Sequence, residues 1–154
     1  HDTRPTLFTL TKEHRQQIKA LSLDRSLEYW LDCEAMNKTK DAKHELVFLD
    51  ILQAGRYFFN GPNLLDRYSM LEKICNYPQN YDPTGIAYQI SPLLWLTPTF
   101  YGDFEKHFKA AGADDRNEGL VLKLKNSVID NFGAKEYTCN WQIRCRKACK
   151  KYNI

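Results

Sequence analysis

The sequence predicts a single α+β domain whose sheet is largely antiparallel. Three observations predict it: short apolar runs of strand length, two segments with helical periodicity, and connections of mixed length between them. The 154 residues are 43% apolar and 27% charged, which is ordinary for one globular domain. No apolar stretch reaches the roughly 18 residues of a membrane helix, and the N-terminus is unlike a signal peptide. We therefore expect neither membrane spanning nor secretion.

Three runs of strand length precede the first clear helix. Thr6–Thr11 and Leu46–Leu52 are rich in β-branched or aromatic residues, which favour strands. Glu28–Met36 is less regular, but the polar segment 37–44 that follows it is typical of a hairpin loop. We therefore predict a strand that ends near Met36 and pairs with the next one.

The first predicted helix follows Gly61 and Pro62. Its apolar side chains recur at helical spacing, at Leu64, Leu65, Tyr68, Leu71 and Ile74. Proline suits the opening turn of a helix because its missing N–H would lack an intrahelical partner there in any case. The sequence therefore predicts one amphipathic helix in this segment.

The segment 77–98 contains four prolines, which exclude a long helix. Ala87–Ile90 and Leu93–Leu96 are its best candidates for short strands. Asp103 is then predicted to cap a second helix, which Gly112 ends. The side chains expected to face the core from this helix are Phe104, His107, Phe108 and Ala111. The last predicted strands are Gly119–Leu124 and Trp141–Cys145.

The formal net charge of +3 hides a concentration of basic residues at one end of the chain. Residues 121–154 carry eight lysines and arginines against two acidic residues, a net charge of +6, whereas the first 120 residues carry −3. A concentrated basic segment attracts polyanions such as nucleic acid or nucleotide phosphates. A solvated basic tail without a ligand is the competing interpretation.

Five cysteines form no C-x-x-C pair, which favours a reducing, intracellular compartment: the cytoplasm, the nucleus or a virus-infected cell. The first residue is His rather than Met, so we expect a processed chain or part of a longer one.

Several charged residues lie within or beside the predicted strands. A charge there is costly if it is buried alone, so it must be paired, exposed or used for a ligand. The carboxylates of Glu34 and Glu118 and the cations Lys123, Arg144 and Arg146 are the groups that a site for phosphate and a metal ion requires. Taken singly, each fits a structural ion pair as well.

Side-chain alternation predicts how these groups are arranged. Arg144 and Arg146 share one face of a strand, so both guanidinium groups can face one phosphate. Glu118 and Lys123 point to opposite faces of a regular strand. Glu118 must therefore lie in the turn before the strand, which Gly119 favours by permitting unusual backbone angles.

Four motifs in order resemble the covalent nucleotidyltransferase superfamily. They are LDCE, where the family has LDGE, the apolar run VFLDIL, the segment EGLVLK, and the strand WQIRCRK. The closest likeness is to the adenylation domain of ATP-dependent DNA ligases, and RNA ligases and mRNA-capping guanylyltransferases are related. The resemblance covers about residues 6–154. It implies an ATP-grasp-like nucleotidyltransferase core, present as one partial domain over residues 1–154.

The resemblance also implies a role for each matching residue. Glu34 matches the glutamate that holds the ribose, and Glu118 matches the carboxylate that supports Mg²⁺. Lys123 and Arg144 match cations near the α-phosphate, and Arg146 is a further catalytic cation of the last strand. The purine-stacking aromatic directly precedes Asp50 in the family, where this chain has Leu49, so Phe48 is the candidate for that role.

The activity implied is transfer of AMP from ATP to a lysine, then to a nucleic acid 5′-phosphate, and finally sealing of a nick, as in DNA repair and replication. The family's K-x-D-G motif, which carries that lysine, does not occur in this sequence. We expect an upstream segment or a second chain to supply it, and we expect the isolated chain to be inactive. The OB-fold that follows the last motif in the family is missing too. A non-catalytic module that binds nucleic acid or serves as a scaffold, an RNA ligase and a capping enzyme remain the alternatives.

Overall fold

The structure is a computed structural model that describes residues 9–36, 44–58, 62–76, 87–113, 117–129 and 141–148. These residues form three helices, one mixed sheet and a separate two-stranded ribbon, which is the α+β class that the sequence predicts. The helices are α1 Lys12–Lys19, α2 Leu64–Ile74 and α3 Phe104–Gly112. The strands are β1 Tyr29–Met36, β2 Glu45–Ala54, β3 Tyr57–Phe58, β4 Tyr88–Ser91, β5 Leu94–Leu96, β6 Gly119–Lys123 and β7 Gln142–Arg146.

The main sheet has the strand order β1-β2-β5-β4, with β3 paired to the end of β2. The pairing of β2 with β5 is parallel and the other pairings are antiparallel. The predicted hairpin of β1 and β2 is confirmed, since Met36 pairs with Glu45. Strand β5 pairs only with Leu46 to Phe48, and β3 only with Gln53 and Ala54. Asp50 therefore lies in the stretch of β2 between these two partners.

The core lies between the main sheet and helix α2, and the end of α1 adds to it. It consists of Leu21, Leu46, Phe48, Ile51, Ala54, Tyr68, Leu71, Ile74, Cys75, Leu94 and Leu96. Tyr29, Leu31 and Ala35 of β1 pack against it. Because side chains alternate along a strand, Trp30, Asp32 and Glu34 point away from the core. We call the side of the sheet that carries these three residues its outer face.

A bulge in β2 puts Phe48 and Asp50 of the VFLDIL run on opposite faces of the sheet. Cys33 of β1 pairs with Phe48, whereas the next residue, Asp32, pairs with Asp50, so Leu49 is the extra residue. Without this bulge Phe48 and Asp50 would share a face. With it, Phe48 enters the core, and Asp50 lies beside Asp32 of the outer face.

The N-terminal segment differs from the prediction. Thr9–Thr11 form no strand, and residues 6–8 of the predicted strand lie outside the described part. Thr11 is instead the N-cap of α1, where its hydroxyl accepts a hydrogen bond from the His14 N–H and the His14 ring accepts one from the Thr11 N–H. The helix KEHRQQIK has one aliphatic residue, so apolar periodicity could not reveal it.

Helix α3 begins after Asp103 and ends at Gly112, as predicted, but its cap and its core face differ from the prediction. Asp103 is in the N-cap position with φ +46°, and its side chain makes no capping hydrogen bond. Phe104 is 51% exposed rather than buried, while Ala111 is buried. His107 stacks on Phe100 with ring centroids 3.9 Å apart. The short helix thus buries only part of the face that its spacing predicts.

Candidate functional site

The β6–β7 ribbon carries three cations on one face. Gly119 pairs with Arg146, Val121 with Arg144 and Lys123 with Gln142. Paired residues of antiparallel strands share a face, so Lys123, Arg144 and Arg146 lie on the same side. We call these three residues the cationic face. The other side of the ribbon carries Leu120, Leu122, Ile143 and Cys145.

Gly119 is required where it stands, at the start of the ribbon. Its φ is +140°, and a Cβ there would lie 2.0 Å from the backbone oxygen of Cys145. Glu118 directly precedes the strand, and its carbonyl accepts a hydrogen bond from the Lys147 N–H at 2.9 Å. The carboxylate Oε2 of Glu118 lies 3.4 Å from Nε of Arg146. Glu118 thus reaches the cationic face from the position directly before β6, although the described residues there form no turn.

A buried ion pair joins β2 to helix α2. Nε of Arg67 donates to Oδ1 of Asp50 and Nη2 donates to Oδ2, both at 3.0 Å. Asp50 is 5% exposed and Arg67 is fully buried. The remaining nitrogen of Arg67, Nη1, donates to the carbonyls of Pro62 at 3.0 Å and Ser127 at 3.2 Å. One guanidinium group therefore holds together β2, the start of α2 and the turn after β6.

Lys123 connects the ribbon to this ion pair. Its Nζ lies 3.9 Å from Oδ2 of Asp50, which is too far for a hydrogen bond, and its side chain is 23% exposed. The cationic face is therefore next to β2 at Asp50. The cluster that results has four cationic side chains, Arg67 and the cationic face, and two carboxylates, Asp50 and Glu118.

Glu34 lies on the outer face of the sheet, two residues along β1 from Asp32. It pairs with Val47, which pairs with Trp95, and it is exposed. Its neighbour on the same face, Asp32, pairs with Asp50. Within the described residues the side chain of Glu34 makes no hydrogen bond or ion pair. The structure thus brings four of the five predicted charged residues together on the ribbon, and the fifth stands on the neighbouring sheet.

Phe48 is only 2% exposed and belongs to the hydrophobic core. Its ring has no open face for a purine, so the structure does not support it as the stacking residue. Trp95 is the aromatic residue that shares a row with Glu34, and it is half-buried between Leu94 and Leu96, which are fully buried. Because side chains alternate along a strand, the sequence LWL predicts that Trp95 lies on the face opposite Leu94 and Leu96.

Sequence reasoning also missed Arg67. An arginine at this position of a helix stands between Leu64 and Leu71 on the apolar side, which is the one usable signal. A buried arginine needs a carboxylate and several carbonyl acceptors. Asp50, a charged residue within an apolar strand, is the carboxylate that fits this need. Each residue alone is ambiguous, and the pair explains both.

The cluster offers several hydrogen-bond donors to an anionic ligand. Its four cations outnumber its two carboxylates, and Asp32, which pairs with Asp50, adds a third carboxylate beside them. A phosphate group carries about two negative charges and accepts several hydrogen bonds from guanidinium and ammonium groups. The carboxylate of Glu34, on the outer face of the sheet, can accept hydrogen bonds from hydroxyl groups. The described residues thus offer donors for phosphate oxygens and an acceptor for hydroxyls.

One exposed carboxylate, Glu118, stands beside the cationic face, with 69% of its side chain accessible. Mg²⁺ is commonly held by one or two carboxylates together with substrate phosphates, so this residue fits such a role. No group of three or more metal-binding side chains occurs among the residues that the structure describes.

We compared the chain with protein-family models, curated proteins and solved structures, and none of the three comparisons gave a match. None of the helices in the described ranges is long and apolar enough to span a membrane.

Proposed function

We propose that this chain is the nucleotide-binding part of an ATP-dependent polynucleotide ligase whose substrate is nicked DNA. The reaction moves AMP from ATP to a lysine, then to the 5′-phosphate at the nick, and the 3′-hydroxyl finally displaces AMP. The observation that carries the proposal is the cationic face of Lys123, Arg144 and Arg146, with Glu118 at its edge. This is the combination of groups that stabilises charge on a transferring phosphoryl group.

Each residue has a distinct part in the proposal. Lys123 and Arg144 bind the α-phosphate of ATP, and Arg146 supports the same charge as the bond to the leaving pyrophosphate breaks. Glu34 accepts hydrogen bonds from the ribose hydroxyls. Glu118 supports Mg²⁺, which when bound neutralises phosphate charge and orients the phosphates. Trp95, in the same row of the sheet as Glu34, replaces Phe48 as the candidate for purine stacking.

The proposal limits what this chain does alone. Covalent catalysis requires a lysine nucleophile, and the sequence has no K-x-D-G motif to supply one. The chain therefore binds and orients the nucleotide, and the nucleophile comes from another segment or chain. Incubation with ATP labelled at the α-phosphate should give no adduct that survives denaturation, and a stable adduct would overturn this division of roles.

A thermal-shift series tests nucleotide binding, since a ligand of the folded state raises the melting temperature. We expect ATP with Mg²⁺ to raise it more than GTP does, and we expect Lys123→Gln and Arg144→Gln to remove most of the effect. Lys125→Gln is the matched control, because Lys125 is exposed and lies beyond the end of β6. A preference for GTP would favour a capping enzyme. Binding of single-stranded nucleic acid without any nucleotide effect would favour a non-catalytic module.

A further inference from the structure

Two cations, Arg67 and Lys123, lie near the carboxylate of Asp50, and only Arg67 is within hydrogen-bond distance of it. Arg67 occupies both oxygens at 3.0 Å, and Oδ1 also accepts a hydrogen bond from the Ile51 N–H at 2.8 Å. Lys123 remains at 3.9 Å, outside hydrogen-bond distance. The negative charge of Asp50 is therefore neutralised by the guanidinium group, and the charge of Lys123 is not consumed by it.

We propose that Arg67 is a positioning residue that keeps Lys123 available for an anionic ligand. Without Arg67, Lys123 would be the nearest cation to a buried carboxylate that no longer has a counterion. The ammonium group would close on Asp50 to hydrogen-bond distance, because an unpaired buried charge is strongly unfavourable. The cationic face would then lose the charge that stands closest to the sheet.

One of the remaining contacts of Arg67 lies near Lys123 along the chain. Nη1 donates to the carbonyl of Ser127 in the turn that follows β6, so the guanidinium group ties down the chain four residues after Lys123. The same nitrogen donates to Pro62 at the entrance of α2. Arg67 thus pairs with Asp50 and also joins the turn after β6 to the entrance of α2.

This inference rests on the proposed function only in naming the anion, which is a phosphate of ATP. The proposed redistribution of Lys123 happens in the ligand-free protein and can be measured there. An acylating reagent attacks the neutral amine of lysine, and a close ion pair disfavours that form. Mass spectrometry of the labelled peptides reports the reactivity of Lys123, and Lys125 in the same chain is the internal reference.

Three variants test the inference in the whole chain: Arg67→Met, Asp50→Asn, and the double variant that combines them. In Arg67→Met, we expect labelling of Lys123 to fall several-fold relative to Lys125 and the Kd for ATP to rise about tenfold. In the double variant the carboxylate is gone, so Lys123 has nothing to close on. Both quantities should return to within about twofold of the wild type.

A purely structural role for Arg67 predicts a different pattern, because removing its partner as well would not restore the reactivity of Lys123. Unchanged labelling in Arg67→Met, or a double variant as impaired as the single one, would overturn the inference. Circular dichroism shows whether Arg67→Met is folded. If Arg67→Met is unfolded, Arg67→Lys is used in its place. A lysine cannot make the two parallel hydrogen bonds to Asp50, so labelling of Lys123 should fall in part. If wild-type protein binds no ATP, the proposed function fails, while the labelling still decides this inference.

Discussion

Arg67 grips Asp50 through two parallel hydrogen bonds of 3.0 Å, and neither side chain has more than 6% of its surface exposed. The pair links a strand to the helix that packs on it, seventeen residues later in the sequence. Because charges at such depth are tolerated only as a pair, the two residues depend on each other.

Mutual dependence predicts a strongly non-additive mutant cycle. Arg67→Met leaves Lys123 as the nearest described cation to the Asp50 carboxylate, and one ammonium group replaces the two-point grip and the carbonyl contacts of the guanidinium, so we expect the free energy of unfolding to fall by about 3–5 kcal/mol. Asp50→Asn leaves the guanidinium unpaired with a similar cost. The double variant should lose clearly less than the sum of the two. Urea denaturation of all four proteins measures the cycle, and additive losses would contradict the assigned pairing.

The glycine at the start of β6 predicts a second sensitive position. Gly119→Ala places a Cβ 2.0 Å from the Cys145 carbonyl oxygen at a φ of +140°, so the ribbon cannot close without a backbone shift. We expect a lower melting temperature and weaker binding of ATP. Gly112→Ala is the matched control, because a Cβ there has no neighbour within 4 Å and alanine favours the helix. Equal behaviour of the two variants would contradict the strained geometry of Gly119.

The side chain of Gln17 anchors helix α1 to the sheet. Oε1 of Gln17 accepts hydrogen bonds from the Ser91 hydroxyl at 2.6 Å and from the Leu93 N–H at 2.9 Å. Gln17→Ala leaves this N–H without its acceptor, so the free energy of unfolding should fall by about 1–3 kcal/mol. Gln16→Ala removes an exposed glutamine from the same helix and should change the free energy of unfolding by less than about 0.5 kcal/mol. Chemical denaturation measures both, and a silent Gln17→Ala would refute the anchor.

The thiol of Cys75 should be unreactive in the folded protein. Burial raises its pKa from the ordinary 9.0 to about 12, and the neighbouring Cys33 adds to the shift. At pH 8 the thiol is therefore neutral, and iodoacetamide, which reacts with the thiolate, should modify it at least about tenfold more slowly than in urea.

The same shift predicts how Cys75 affects stability at high pH. A pKa that is higher in the folded state contributes stability below pH 9, and this contribution is lost as the pH rises toward 12. Cys75→Ala should therefore lose less stability between pH 8 and 10.5 than the wild type does. Rapid alkylation of native Cys75, or identical pH profiles of the two proteins, would contradict the claim that burial disfavours the thiolate of Cys75.

Much of the fold follows from periodicity, and the failures have definite causes. Strand β2 and helix α2 are predicted because their apolar residues repeat with the right period and face one core. Helix α1 is missed because it is held by its cap and by Gln17 rather than by an apolar stripe. The parallel pairing of β2 with β5 depends on the path of the chain between them, which residue patterns do not encode.

The candidate site is predictable for the ribbon and not for the sheet. The sequence alone shows that Arg144 and Arg146 alternate along one strand and that a glycine follows Glu118, and these local patterns predict the ribbon. The bulge at Leu49 is different, since it depends on how β1 and β2 align. This one extra residue puts Asp50 on the face opposite Phe48, and the pair of Asp50 with Arg67 is likewise visible only once α2 is packed on the sheet.

The most direct test of nucleotide binding is an ATP titration followed by the backbone amide signals of the protein in solution. The account predicts that the largest chemical shift changes occur in β6 and β7 at Lys123, Arg144 and Arg146, with further changes at Glu34 and Asp50. Changes confined to α1 and β4, or none at millimolar ATP, would contradict it.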